Sequence, residues 1–303
     1  MLEDKRKGFF MKKIMRSVLL IAFTAIFLVA CTSNNSTVIR VGSKNFTENL
    51  IIGEIYSLAL EDNGFEVERV DNIASSVIPQ AIENDEIDIY PEYTGTALLS
   101  IHNLPMESDP QTVATQIRDA YEEMGLTTLD FAEANNSQGI AMNRSTAEEL
   151  GIQTISDLQA NAESVRFASQ GEFNEREDGL PGLSEVYGEF NFASNEIYDN
   201  SLKYTVLEND EADATPAYTT DGQLVNTEQF IVLEDDKQFW PPYNVVPVVR
   251  QDTLDENPEM ADIINQVNAN LDTESLIQLN ARVDIDGEPY EDVAADFFES
   301  INQ

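Results

Sequence analysis

The stretch VIRVGSKNFTENLIIGEIYSLALEDNG (residues 38–64) decides the fold, because a strand pattern changes there into a helix pattern. The segment Val38–Gly42 predicts a short strand. From Leu50 to Leu58 the apolar residues recur at helical spacing, and Gly64 is a plausible C-cap. A strand followed at once by a helix is the beginning of an α/β unit.

The next thirty residues continue this alternation. Phe65–Val70 alternates apolar and charged residues as a strand does, Ser75–Asn84 predicts a helix, and Ile87–Tyr90 predicts a third strand. This order predicts a parallel sheet with helices on both faces. Ligands of such sheets bind beyond the carboxyl ends of the strands, where Ser43–Glu48 and Tyr93–Thr96 lie.

The rest of the chain predicts a second domain and a return segment. Residues 145–235 contain another set of strands and helices, and Val245–Val249 predicts a further strand. Three helices are expected at the end of the chain, over Pro258–Asn268, Ser275–Asn280 and Tyr290–Ile301. A length of 303 residues suits about two domains.

The N-terminus predicts a lipoprotein signal peptide over residues 1–30, with Met11 as a second candidate start. Basic residues precede the apolar run Val18–Ala30, and Leu28–Cys31 is typical of a bacterial lipobox. Cys31 would carry the lipid, residues 31–37 would form a tether, and the protein would be held extracytoplasmically at the outer face of the cell membrane. The alternative is an ordinary signal peptide with a chance cysteine.

The charge excludes one large class of partners. Six of the 17 basic residues precede Cys31, which leaves eleven against 54 acidic residues and a formal charge of about −43. Nucleic acids need cationic surfaces, so none is expected as a partner. Two interpretations remain, a field that concentrates a cationic ligand and a surface adapted to high salt. The even spread of acids along the chain favours the second.

Catalytic and metal-binding motifs are missing from the sequence. His102 is the single histidine and Cys31 the single cysteine, and neither a nucleophile elbow nor a phosphate- or dinucleotide-binding motif occurs. Asp284–Gly287 resembles the start of a calcium loop, but no glutamate follows at the required position. We therefore expect neither an enzyme, a cofactor nor a metal site.

Three tyrosines instead indicate a site for a methylated cation. Tyr93, Tyr218 and Tyr243 lie in short segments that contain Thr, Gly or Pro and resemble loops. A quaternary ammonium donates no hydrogen bond and binds best to π-faces, while Lys44 or Arg176 would meet a carboxylate at its other end. The alternative for each tyrosine is a half-buried ring in a domain core.

The order of six motifs shows a resemblance to a known family. The chain resembles the glycine betaine/choline-binding proteins of osmoprotectant ABC importers over nearly all of residues 38–300. The motifs are GSKNFTE (42–48), IDIYPEYTGT (87–96), NEREDGLPGL (174–183), AYTTDG (217–222), LEDDK (233–237), and PPY (241–243) with PVVR (247–250).

The resemblance implies a two-lobed α/β fold of the periplasmic-binding-protein type (type II), with two crossover strands and the ligand in the cleft between the lobes. Residues 38–137 and 244–303 would form lobe 1, and residues 138–243 would form lobe 2. The partners implied are a small quaternary-ammonium ligand and the permease and ATPase subunits of an ABC importer. A monomer is expected.

The resemblance also implies the roles of site residues. Three tyrosines become walls of an aromatic cage, and three polar residues contact the other end of the ligand. The cage walls would be Tyr93, Tyr218 and Tyr243. The polar contacts would be Lys44, Thr96 and Arg176.

One position departs from the family pattern. Where the family often has a tyrosine at the first crossover, this chain has Gln138. Either one cage wall is missing or Gln138 binds a polar group of a different ligand. Trp240 would replace the wall or lie in a lobe core or hinge.

Three alternatives stay open at this stage. The same fold would bind another small amine or zwitterion such as carnitine or proline betaine, or serve a ligand-sensing receptor that feeds no permease. A surface-anchored hydrolase of choline esters is the third.

Overall fold

The computed structural model describes residues 38–302. The predicted signal peptide, the lipid attachment at Cys31 and the tether over residues 31–37 lie outside the described residues. Within residues 38–302, the chain forms a mixed α/β structure with two five-stranded sheets, which confirms the predicted two-lobed class. In this range no helix is long and apolar enough to cross a membrane.

The first sheet has the strand order β2-β1-β3-β10-β4. Its strands are β1 (Val38–Lys44), β2 (Glu66–Ile73), β3 (Ile89–Tyr93), β4 (Leu126–Thr128) and β10 (Val245–Arg250). The predicted parallel pairing holds for β1 with β2 and with β3. It does not extend to β10, which runs antiparallel to both β3 and β4 because the chain re-enters this sheet after building the second one.

Helices cover the first sheet, and two of them carry side-chain caps that explain where they begin. Asp109 accepts a hydrogen bond from the Thr112 backbone N–H at 2.8 Å, and Asp272 accepts one from Ser275 at 2.7 Å. The helices are α1 (Thr47–Asp62), α2 (Ile78–Glu83), α3 (Thr94–Thr96), α4 (Pro110–Glu123), α9 (Gln251–Glu256), α10 (Glu259–Asn268), α11 (Thr273–Asp284) and α12 (Tyr290–Ile301).

The second sheet has the strand order β7-β6-β8-β5-β9. Its strands are β5 (Gln138–Asn143), β6 (Arg166–Ser169), β7 (Ser194–Ile197), β8 (Ala214–Tyr218) and β9 (Phe230–Val232), and its helices are α5 (Arg144–Leu150), α6 (Ile155–Ala160), α7 (Leu180–Tyr187) and α8 (Lys203–Glu208). Here β6 is parallel to its two neighbours, whereas β5 is antiparallel to β8 and β9. The same arrangement therefore occurs in both sheets.

Two connections join the sheets, one between β4 and β5 and one between β9 and β10. They meet in an antiparallel bridge between Asn135 and Asn244. Thr94, directly after β3, strengthens this junction, because its hydroxyl donates to the Pro242 carbonyl at 2.7 Å and accepts from the Asn244 backbone N–H at 3.0 Å. The lobe boundaries at residues 137/138 and 243/244 stay a prediction.

Candidate functional site

A cavity of about 990 Å³ lies at the ends of strands from both sheets. Strands β1 and β3 bring their carboxyl-terminal residues to it from one sheet, and β5 and β8 contribute from the other. All seven residues predicted for the site line this one cavity: Lys44, Tyr93, Thr96, Gln138, Arg176, Tyr218 and Tyr243. The structure therefore brings together residues that are up to 199 positions apart in the chain.

Tyr93, at the end of β3, is a fixed part of the wall. Its ring is 3% exposed, and its hydroxyl donates to Oε1 of Glu48 at 2.9 Å. The ring centroid lies 6.0 Å from that of Phe46, which also lines the cavity. A hydrogen-bonded hydroxyl holds the ring in one orientation, and the ring also belongs to the buried core around the first sheet.

Lys44, at the end of β1, is committed to an ion pair. Its ammonium donates to the carboxylate of Glu92, and both side chains are almost completely buried. The nitrogen also lies 5.4 Å from the centroid of the Tyr93 ring, within cation–π range. Lys44 therefore orders the end of the first sheet, and its charge at the cavity is already balanced.

Tyr243 packs closely against the chain after β3. Its ring is 9% exposed, and a Cβ atom added at Gly95 would lie only 2.6 Å from two of its ring carbons. The Tyr243 backbone N–H donates to Oδ1 of Asn135 at 2.7 Å. Burial, with the nearby carboxylate of Asp178, raises the pKa of Tyr243 to about 12, so the phenol is neutral at physiological pH.

Tyr218, the last residue of β8, is the most exposed of the three cage candidates, at 46%. Its backbone N–H donates to Oδ2 of Asp221 at 2.9 Å. The same oxygen pairs with the Lys203 ammonium at 2.6 Å, and this ammonium lies 5.2 Å from the Tyr218 ring centroid. Tyr218 is thus held by its backbone, and its half-exposed side chain lines the cavity.

Arg176 and Gln138 converge on one carboxylate. Nε of Arg176 donates to Oδ1 of Asp178 at 2.7 Å, and the Gln138 amide donates to Oδ2 at 2.7 Å. Burial alone would raise the pKa of Asp178, but the bonds from Arg176 and Gln138 outweigh it and hold the pKa below its usual value. Gln138 therefore has a partner in the protein and supplies no aromatic wall.

Trp240 does not complete the wall either. Its indole N–H donates to the backbone carbonyl of Asp178 at 2.9 Å, and the side chain packs in the core of the second sheet. Trp240 is absent from the residues that line the cavity. Of the two interpretations of Trp240, the lobe-core tryptophan is the one that the structure supports.

Several cavity residues were missed from the sequence because their contacts are long-range. Glu48 belongs to a motif that the sequence singled out, but nothing local indicates that its carboxylate meets side chains from three other segments. Lys203 and Asp221 lie 18 positions apart and pair only through the fold. The main residues that were missed are Phe46, Glu48, Asn136, Asp178, Lys203, Asp221 and Asn280.

Negative charge exceeds positive charge at the cavity. Its acidic residues are Glu48, Glu177, Asp178, Asp221 and Asp284, and its basic residues are Lys44, Arg176 and Lys203. Each of these three cations already makes an ion pair with a carboxylate. The cavity therefore attracts a cation and repels an anion.

The single histidine of the sequence lies outside this site. His102 is not among the lining residues, and its ring instead packs edge-on against Tyr121 at 4.4 Å. No group of three or more His, Cys, Asp and Glu residues suited to a metal ion occurs within residues 38–302. Aromatic faces, carboxylates and amides fit reversible binding of a small cation.

Known proteins match this chain over most of its length. A family model described as the substrate-binding domain of ABC-type glycine betaine transport systems matches residues 37–300. A glycine-betaine-binding protein of Pseudomonas aeruginosa is 36% identical over 270 residues, which cover 86% of this chain and 86% of that protein.

Two further matches differ in what they cover. The ergothioneine transport permease/ergothioneine binding protein EgtU of Helicobacter pylori is 29% identical over 93% of this chain, but the match spans only 51% of that protein. The crystal structure of a glycine betaine/carnitine/choline ABC transporter has a TM-score of 0.81 at 26% identity, covering 86% of this chain and 98% of the solved one.

Proposed function

This chain belongs to the family of substrate-binding domains of ABC-type glycine betaine transport systems, and we propose that it captures a compact quaternary-ammonium solute such as glycine betaine or choline in an aromatic cage. Members of this family bind solutes and are not enzymes. The observation that carries the proposal is that three tyrosines from separate segments line one cavity with surplus negative charge. They are Tyr93, Tyr218 and Tyr243.

The cage would bind the methylated end of the solute through π-faces. Each cation–π contact contributes about 0.5–2 kcal/mol, more as the cation loses water. Because Gln138 supplies no π-face, we expect weaker binding than a four-walled cage would give. Thr96 and the guanidinium of Arg176, whose side chain is 52% exposed, are the proposed contacts for the other end of the solute.

Tyr218 offers the sharpest test of the cage. The Lys203 ammonium lies 5.2 Å from the ring centroid, and Tyr218→Phe keeps the π-face whereas Tyr218→Ala removes it. In titration calorimetry with choline and with glycine betaine, Tyr218→Ala should lose about tenfold in affinity and Tyr218→Phe less than threefold. If Tyr218→Ala binds both compounds as tightly as the unchanged protein, the cage assignment is wrong.

The identity of the solute is a separate question, for which native mass spectrometry of protein purified without denaturation is suited. A retained compound of known mass would separate betaine and choline from carnitine and proline betaine. Recovery of the compound unchanged would also exclude the alternative of choline-ester hydrolysis.

The complete protein would work as a lipoprotein. We propose that Cys31 carries a diacylglycerol, that residues 31–37 tether the binding domain to the outer face of the cell membrane, and that a permease and its ATPase receive the solute. An N-terminal peptide that begins at Cys31 without lipid would contradict the anchor. Neighbouring genes for a permease and an ATPase would favour transport over a sensory role.

A further inference from the structure

Glu48, near the start of α1, is a buried acid that the proposed cage does not use, and burial raises the pKa of its carboxyl group. The residue is 3% exposed, and no Lys, Arg or His among residues 38–302 forms an ion pair with its carboxyl group. A buried carboxylate without a cation is costly unless hydrogen bonds satisfy it. A buried acid without a cationic partner at the wall of the cavity therefore indicates a role in the site.

The donors to Glu48 come from three separate parts of the fold. The hydroxyl of Tyr93 donates to Oε1 at 2.9 Å and the amide of Asn136 to the same oxygen at 2.8 Å. The amide of Asn280 donates to Oε2 at 2.8 Å. One carboxylate thus joins a cage wall on β3, the first connection between the sheets, and helix α11.

Asn280 extends this contact to the second sheet. Its amide also donates to the backbone carbonyl of Thr220, just beyond β8, at 2.8 Å. At the next residue of α11, the backbone of Ala281 lies so close to Gly222 that an added Cβ would be 2.7 Å from its nitrogen. Helix α11 is therefore seated directly on the segment that follows Tyr218.

We propose that Glu48 is a positioning residue, which fixes the Tyr93 ring for the ligand and ties that ring to the second sheet through Asn280 and Thr220. This inference rests on the proposed capture of a quaternary ammonium. Glu48 pairs with no cationic side chain among residues 38–302, and its task in this proposal is to align a π-face. Affinity should then depend on Glu48 through the hydroxyl of Tyr93.

The test is a double-mutant cycle of Glu48→Gln and Tyr93→Phe, with affinity for choline and glycine betaine measured by calorimetry. A hydrogen bond to a charged group is worth enough for each single variant to lose about tenfold in affinity. Glu48→Gln weakens the bond from the Tyr93 hydroxyl by removing the negative charge of its acceptor, and Tyr93→Phe removes that bond. If Glu48 acts through this bond, the double variant should bind no more than about twofold worse than the weaker single variant. The inference would be overturned if the fold losses in affinity of the two single variants multiply in the double variant. It would also be overturned if Glu48→Gln binds as tightly as the unchanged protein.

Glu54→Gln is the matched control. Glu54 lies on the same helix, is 8% exposed, and bonds to Arg69 away from the cavity. Loss of the ion pair with Arg69 should lower stability, while affinity should stay within about twofold because this contact lies outside the cavity. An equal loss of affinity in Glu54→Gln would mean that Glu48→Gln acts by general destabilisation, which also overturns the inference.

Two further measurements keep the result decisive. If Glu48→Gln does not fold, Asn280→Ala takes its place in the cycle, and unchanged affinity in that variant overturns the inference. If the unchanged protein binds neither compound, the proposed function fails. The same cycle is then read from urea unfolding, where non-additive losses support the contact and additive losses overturn it.

Discussion

At the scale of single residues, Gly95 shows how closely Tyr243, one of the proposed cage walls, is packed. The position needs no unusual backbone angle, so its requirement for glycine comes from space alone. A methyl group there would lie 2.6–2.7 Å from three carbons of the Tyr243 ring. The ring could yield only by moving within a segment that Asn135 and Thr94 hold in place.

Gly95→Ala should therefore weaken ligand binding and destabilise the fold. Overpacking of this kind costs about 1–3 kcal/mol, and the displaced ring should reduce the affinity for choline measured by calorimetry. Gly171→Ala is the control, because an added Cβ there meets nothing nearer than 4.0 Å. Unchanged unfolding and unchanged affinity in Gly95→Ala would mean that the Tyr243 ring is free to shift.

At the scale of elements, the periodic segments could be predicted from the sequence, and the reason is local. Helix α1 was expected because its apolar residues recur at helical spacing, and Gly64 has the positive φ of +88° that its predicted role as a C-cap requires. Strand β2 is predicted from the alternation of apolar and charged residues in Phe65–Val70, and β1 and β3 are predicted from the short segments Val38–Gly42 and Ile87–Tyr90. Such patterns can be recognised from neighbouring residues in the sequence alone.

The antiparallel insertion of β10 could not be predicted from its own residues. The sequence of Val245–Arg250 predicts a strand, but the direction of that strand depends on where the chain leaves the second sheet. The site divides in the same way. Tyr218 is predicted from a segment that resembles a loop, although the structure places it at the end of strand β8. The pairing of Lys44 with Glu92 depends on two strand ends that meet only in the folded sheet.

Helix α11 carries a prediction of its own, because it is the element of the return segment that rests on the second sheet. Gly222→Ala would place a Cβ atom 2.7 Å from the backbone nitrogen of Ala281, which has no side-chain freedom to yield. We expect a loss of about 1–3 kcal/mol in the free energy of unfolding from this clash. Urea titration measures it, with Gly171→Ala again as the control.

A second readout connects this helix to binding. If seating α11 on the second sheet supports the Glu48 contact, Gly222→Ala should also weaken affinity for the ligand, although residue 222 is not among the residues that line the cavity. Loss of stability with unchanged affinity would show that α11 serves the fold alone.

At the scale of the whole molecule, the charge is far from balanced. Nine of the eleven basic residues within residues 38–302 already make ion pairs, and the 54 acidic residues of the chain after Cys31 outnumber them about fivefold. The remaining basic residues are Arg118 and Lys237. Such an excess cannot be neutralised within the chain, and it repels itself in the compact state.

Added salt should therefore stabilise this protein and, at the same time, weaken its attraction for a cation. The Debye length falls from about 10 Å at 0.1 M to about 3 Å at 1 M, which screens repulsion among exposed carboxylates more than it weakens buried pairs such as Lys44 with Glu92. The urea midpoint should rise with NaCl, whereas affinity for choline should fall more steeply than affinity for zwitterionic glycine betaine. KCl at equal ionic strength is the control, because screening does not depend on the identity of the ion. A urea midpoint that stays constant or falls with both salts would contradict this prediction. It would mean that the carboxylates lie too far apart for their repulsion to affect folding. The high acid content would then need an explanation other than stability in salt.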